Sequence, residues 1–145
     1  MKQQRGFTLL EMMVVIVILG ILAAMVVPNL IGNQEQAAKQ KASVDIKQLE
    51  NMLDLYKMQN GFYPTTDQGL EALVTLATSE PVPRNFPDGG YIKHLPKDPW
   101  QGEYKLLSPG EMGRVDIFSA GPDRVEGTED DIGNWNVDGK DETQN

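Results

Sequence analysis

The chain has 145 residues and a mass of 16.1 kDa, room for one domain of modest size or a smaller domain with an appendage. Its 13 Lys and Arg stand against 21 Asp and Glu, a net charge of −8, so it lacks the basic face with which a nucleic-acid binder displaces counterions. It has no cysteine and a single histidine, His94, which excludes disulfide frameworks, thiolate metal sites, cysteine nucleophiles and multi-histidine centres.

The hydrophobic residues are unevenly spread. From Phe7 to Ile31 the sequence reads FTLLEMMVVIVILGILAAMVVPNLI, with Glu11 as its one charge. As a helix these 25 residues would span roughly 37 Å, enough for a hydrocarbon core of about 30 Å. The preceding MKQQRG carries Lys2 and Arg5, which keep the N-terminus cytoplasmic and place the rest of the chain across the membrane. A cleaved secretory signal also joins a basic start to an apolar run. The greater length of this run, the carboxylate in its first turn and the methionine after Ala23-Ala24 favour a retained anchor.

Residues 34–60 contain no glycine or proline, so the anchor and this stretch are expected to form one continuous helix. Ala42, Ile46, Leu49, Leu53 and Tyr56 make one apolar stripe on it at alternating spacings of 4 and 3, and Lys41, Asp45, Lys47 and Glu50 face solvent. Asn60-Gly61 is its stop. Pro28 removes a backbone hydrogen bond and Gly20 weakens the same helix, a kink if nothing more.

From Phe62 onward lie 8 of the 9 prolines, so the elements there are short. Thr66–Leu76 reads as a brief helix with Leu70, Leu73 and Val74 on one side. Residues 104–107 and 114–119 read as strands around a turn at Ser108-Pro109-Gly110. The fold class is α+β: a long N-terminal helix whose amphipathic half packs on a small antiparallel sheet. The acidic tail after Asp138 reads as frayed, and His94, before Leu95-Pro96, as a surface residue.

A short basic leader followed by G-F-T-L-L-E resembles the class III signal of type IV pilins and their relatives. The resemblance implies cleavage between Gly6 and Phe7 by a prepilin peptidase, with N-methylation of Phe7. GFYPTTDQGLEALV, LPKDPWQGEYKLLSPG and DIFSAGPDRVEGTEDDIGNW resemble the major pseudopilin of bacterial type II secretion systems, so the likeness runs from the leader to Trp135. Gln101, between Trp100 and Gly102, departs from the family's usual wording. The absence of cysteine departs from type IV pilins, which usually carry a C-terminal disulfide loop.

This resemblance implies a leader at 1–6, a transmembrane and assembly helix at 7–31 and a periplasmic pilin-like domain at 32–145. It also implies a structural subunit with no enzymatic role, which polymerises into a pseudopilus for protein export. Its partners would be copies of itself, minor pseudopilins, an inner-membrane assembly platform, the prepilin peptidase and the membrane, with no nucleic acid. The alternatives are an adhesive or DNA-uptake filament subunit and a membrane-tethered periplasmic enzyme. Against the last, the chain has no G-x-S-x-G, H-E-x-x-H or P-loop.

Glu11 has two readings. Insertion of an acid at a helix centre costs about 2.5–3.5 kcal/mol, so near the helix start it either snorkels to the headgroups or pairs with a cation inside a polymer. The leader favours pairing with the α-amino group of a neighbouring Phe7. Glu50 and Asp54, at i and i+4, repel by roughly 0.2–0.5 kcal/mol in isolation. A solvated face is the simple account, and Lys93 of another subunit could offset them.

Residues 123–131, DRVEGTEDD, hold five acids with one Arg. Composition alone leaves a solvated loop and a calcium site level, since calcium takes six to eight oxygens in flexible geometry and the spacing is no EF-hand. The family resemblance implies Ca2+ in loop 120–131. Its side-chain ligands would be Asp123, Asp130 and Asp131, with carbonyls of Ala120 and Val125 and an oxygen of Thr128.

Overall fold

The computed structural model describes residues 6–137, and for 26–31 the backbone alone. The leader residues 1–5 and the acidic tail after Val137 lie outside the described residues. The chain divides into two compact units, residues 1–37 and 38–145.

Helix α1 runs Leu9–Asn60, 52 residues, so the expected long helix forms and passes residue 28 without a break. It stops at Asn60, where Gly61 takes φ +88° and donates its N–H to the Lys57 carbonyl at 2.7 Å, a left-handed cap that a side chain would strain.

In the first unit Phe7 and the apolar side chains from Leu9 to Met25 are exposed all round, Phe7 by 81% and Leu9 by 79%. Among the described residues no helix is long and apolar enough to cross a membrane. The expected anchor at 7–31 takes in residues 26–31, whose side chains lie outside the described residues.

The second unit holds the core. Ala42, Ile46, Leu49, Leu53 and Tyr56 are all buried, as the stripe required, against Leu70, Leu73, Tyr104, Leu106, Val115, Ile117 and Ile132. Three antiparallel strands form the sheet: β1 Lys105–Leu107, β2 Asp116–Ser119 and β3 Ile132–Gly133, in the order β1-β2-β3. Leu106 faces Ile117 and Phe118 faces Gly133 across the ladders. Alternation sends Ile117 into the core, while Phe118 meets the Trp135 ring with centroids 5.9 Å apart.

Three expectations need correction. The expected helix over 66–76 is only a 3-10 turn, Leu70–Leu73. Gly69 at φ +59° cannot continue an α-helix, and the Thr65 and Gln68 side chains bond each other's backbone N–H groups at 3.2 and 3.0 Å in its place. The second strand begins at Asp116 rather than Arg114, because the Asp116 carboxylate gathers the N–H groups of Glu111, Met112 and Gly113 at 2.6–2.9 Å and holds the preceding residues in a loop. Strand β3, two residues long, was not anticipated, because Ile132-Gly133 is too short to show a period.

Candidate functional site

At the N-terminus, Thr8 and Glu11 form a reciprocal cap. Thr8 Oγ1 accepts from the Glu11 N–H at 3.2 Å, and Glu11 Oε2 accepts from the Thr8 N–H at 3.0 Å and from the Thr8 hydroxyl at 3.2 Å. This is the capping box T-x-x-E, which satisfies the first free donors of α1 and places a negative charge at the positive end of the helix dipole. Thr8-Leu9-Leu10-Glu11 carries that signal in the sequence. Gly6 and Phe7 precede the helix, exposed.

Loop 120–131 leaves β2 through a buried polar relay. The buried Asp98 accepts from the Ser119 hydroxyl at 2.5 Å, and Ser119 Oγ accepts from the Gly121 N–H at 3.1 Å. Arg124 then ties the loop to the turn at 98–102 by donating to the Trp100 carbonyl at 2.6 Å, and Glu126 pairs with Lys105 of β1.

Within the loop the Asp123 carboxylate accepts from the Val125 N–H at 2.9 Å and from the Thr128 hydroxyl at 3.0 Å, and that hydroxyl lies 3.2 Å from the Val125 carbonyl. Asp123, Val125 and Thr128 therefore meet within the loop. Asp131 Oδ2 accepts from the Gly127 N–H at 2.7 Å, and Asp131 Oδ1 is buried with no hydrogen-bond partner. Asp130 is exposed and Ala120 half-buried. Among the described residues no three acidic or histidine side chains form a group that could hold a metal ion, so Asp123, Asp130 and Asp131 share a loop without forming such a group. The donor set is nonetheless oxygen throughout and includes an orphaned carboxylate oxygen, chemistry that fits a hard cation.

Glu50 and Asp54 have partners within the subunit. Glu50 Oε1 accepts from Asn134 Nδ2 at 3.1 Å, and Asp54 Oδ1 accepts from the Tyr63 hydroxyl at 2.6 Å. That bond to Asp54 and burial push the Tyr63 phenol up, and Arg114 opposes them. The two acids line a cleft of about 340 Å³ with Tyr63, Arg114 and Asn134. Lys93 is exposed and forms no ion pair with either acid inside the subunit. His94 is exposed, as expected.

Residues 29–135 match the family described as type II secretion system (T2SS), protein G, and residues 1–27 match the prokaryotic N-terminal methylation motif. The chain belongs to the type II secretion system protein G family. A curated relative from Pectobacterium carotovorum, type II secretion system core protein G, is 64% identical over 138 residues, covering 95% of this chain and 88% of its own. The relative of the same name from Vibrio cholerae is 63% identical over 140 residues, covering 94% and 95%. The solved major pseudopilin of the type 2 secretion system of enterohaemorrhagic Escherichia coli is 56% identical with a TM-score of 0.70, covering 76% of this chain and 92% of that one. Protein G of this system is a structural subunit, not an enzyme, and the adhesive and tethered-enzyme alternatives have no support. The family and the methylation motif imply a membrane-anchored periplasmic subunit.

Proposed function

We propose that this protein G subunit is stored in the bacterial inner membrane and polymerises, with minor pseudopilins and an inner-membrane assembly platform, into a periplasmic pseudopilus that drives export of folded proteins. The observation that carries this reading is the surface of α1 from Leu9 to Met25, exposed on every side and apolar apart from Glu11. A surface of that extent needs lipid or other helices to cover it, and a subunit that moves from bilayer to filament meets both in turn. The prepilin peptidase would cut between Gly6 and Phe7 with the N-terminus cytoplasmic and the globular domain periplasmic. The new amine of Phe7, methylated, stays positive, and Glu11 of a neighbour would exchange its cap on Thr8 for that amine. Lys93 of another subunit would face the cleft that holds Glu50 and Asp54.

Mass spectrometry of the mature protein should find N-methylated phenylalanine at Phe7. Replacing Gly6 with a bulky residue should leave the precursor uncut and stop filament formation. Normal filaments from that variant would overturn the reading.

The loop 120–131 is proposed to hold Ca2+ through the carboxylates of Asp123, Asp130 and Asp131, the carbonyls of Ala120 and Val125 and an oxygen of Thr128. Bound calcium supplies charge neutralisation and no reaction. The orphaned Oδ1 of Asp131 supports this reading. A ligand at a hundred times its Kd adds about 2.7 kcal/mol to stability. Chelation should therefore lower Tm and expose the loop to protease, and Asp123→Ala should have the same effect in calcium. Equal melting in excess calcium and in chelator would remove the site.

A further inference from the structure

Where α1 ends, the chain turns back and lays Tyr63 against Asp54, nine positions earlier. The left-handed cap at Gly61 makes the reversal, and the residues on either side of Tyr63 fix it. Phe62 meets the buried Tyr56 ring edge-on with centroids 6.1 Å apart, and Pro64 is fully buried. The Tyr63 hydroxyl donates to Asp54 Oδ1 at 2.6 Å, while Lys57 Nζ stands 4.4 Å from the centre of the Tyr63 ring. Arg114 lines the same cleft.

We propose that Tyr63 determines which cation Asp54 pairs with in assembly: it holds the subunit's own Lys57 and Arg114 off that carboxylate and leaves the charge to Lys93 of a second copy of this chain. This selection rests on the reading that places a neighbour's Lys93 at the cleft.

Lys57 follows Asp54 by three positions, a spacing at which an acid and a base on one helix ordinarily pair. Here the ammonium lies over the ring face instead, where the π-electrons attract a cation. Arg114 acts on the Tyr63 phenol and draws its pKa down against the pull of Asp54. Yet among the described residues neither Arg114 nor Lys57 forms an ion pair with Asp54. The exposed carboxylate is held at one oxygen by a neutral donor and by no cation.

That difference matters to a neighbour. A phenol fills one acceptor site and leaves the negative charge in place, whereas a guanidinium can take both oxygens at once and cancel it. A cation of the same subunit also competes at an effective concentration well above that of a second chain, so it wins the carboxylate unless something diverts it. Tyr63 diverts both. Its ring takes Lys57, and its hydroxyl occupies the Oδ1 that a bidentate Arg114 would need.

The test follows filament yield in cells that carry the rest of the secretion system, with melting of each purified full-length chain in detergent micelles as the control for folding. Tyr63→Phe keeps the ring and drops the hydroxyl, and should lower the yield about fivefold, the weight of one exposed ion pair. Adding Arg114→Gln should restore most of that yield. It should gain more there than in a chain that keeps Tyr63, because only without the hydroxyl does the guanidinium take Asp54. Wild-type yield from Tyr63→Phe, or a double variant as poor as the single one, would overturn the selection. If Tyr63→Phe melts lower, the double variant still decides, since loss of Arg114 restores no fold. Asp54→Ala and Lys93→Ala separate the two readings: wild-type yield from both would show that the cleft is no assembly site, and the selection falls with it.

Discussion

Gln101 takes φ +69° in the turn between Trp100 and Gly102, a conformation that favours glycine or asparagine, and it donates its N–H to the Asp98 carbonyl at 3.1 Å. Left-handed backbone costs an ordinary side chain about 1–2 kcal/mol, so Gln101→Asn should raise stability by about 0.5–1 kcal/mol in denaturant unfolding. Asp116 is buried and accepts three backbone N–H bonds. Asp116→Asn turns a donor toward donors and should cost about 2–3 kcal/mol, measured the same way. A Cβ on Gly110 would come 2.5 Å from that same carboxylate, which explains a glycine there. Tyr104 donates to Asp45 Oδ2 at 2.8 Å, and burial, then that bond, push its phenol well above the ordinary 10.0. Burial likewise pushes Tyr56 up. A raised folded-state value means that the native state holds protons which the unfolded chain releases. Stability is therefore fully present below pH 10.0 and falls as pH rises beyond it. Unfolding midpoints followed from pH 8 to about 11 should show that loss, and Tyr104→Phe should reduce it.

The elements differ in what holds them. Within its first turn α1 relies on the Thr8–Glu11 cap, since the apolar side chains there are exposed. Thr8→Ala should remove about 1 kcal/mol from that turn and speed amide exchange at Leu10 and Glu11 about fivefold. Along residues 42–56 the same helix is held by burial, and Leu53, fully buried, is central. Leu53→Ala should cost about 2–5 kcal/mol by calorimetry. The strands are short, and β2 forms because both its neighbours and the helix stripe cover it, leaving Asp116–Ser119 wholly buried.

At the scale of the molecule, every residue of the core lies between Ala42 and Ile132, inside the second compact unit. A chain cut to residues 32–145 should therefore fold in water with a cooperative melt by circular dichroism, and lose only the segment that the filament reading assigns to lipid and neighbours. The exposed apolar run of the first unit contributes nothing to that core. On the filament reading its use lies between molecules rather than within one.

The long helix, its buried stripe and its Gly61 stop were legible because period and capping are local properties of about a turn of chain. The N-terminal methylation motif and the pilin-like character of the α+β class were legible through family resemblance, carried by contiguous stretches such as G-F-T-L-L-E. Asp123, Val125 and Thr128, at most five residues apart, meet in one loop, and it was the family resemblance rather than their spacing that singled them out. Tertiary structure alone decided the rest. Strand β3 exists because β2 offers it a ladder, and nothing in Ile132-Gly133 announces that. Nothing local marks Asp98 and Asp116 as buried acids; folding brings hydroxyl and N–H donors around them. Glu50 reads as a solvated charge until Asn134, 84 positions away, is laid beside it, because contacts between distant residues leave no period in the sequence to detect.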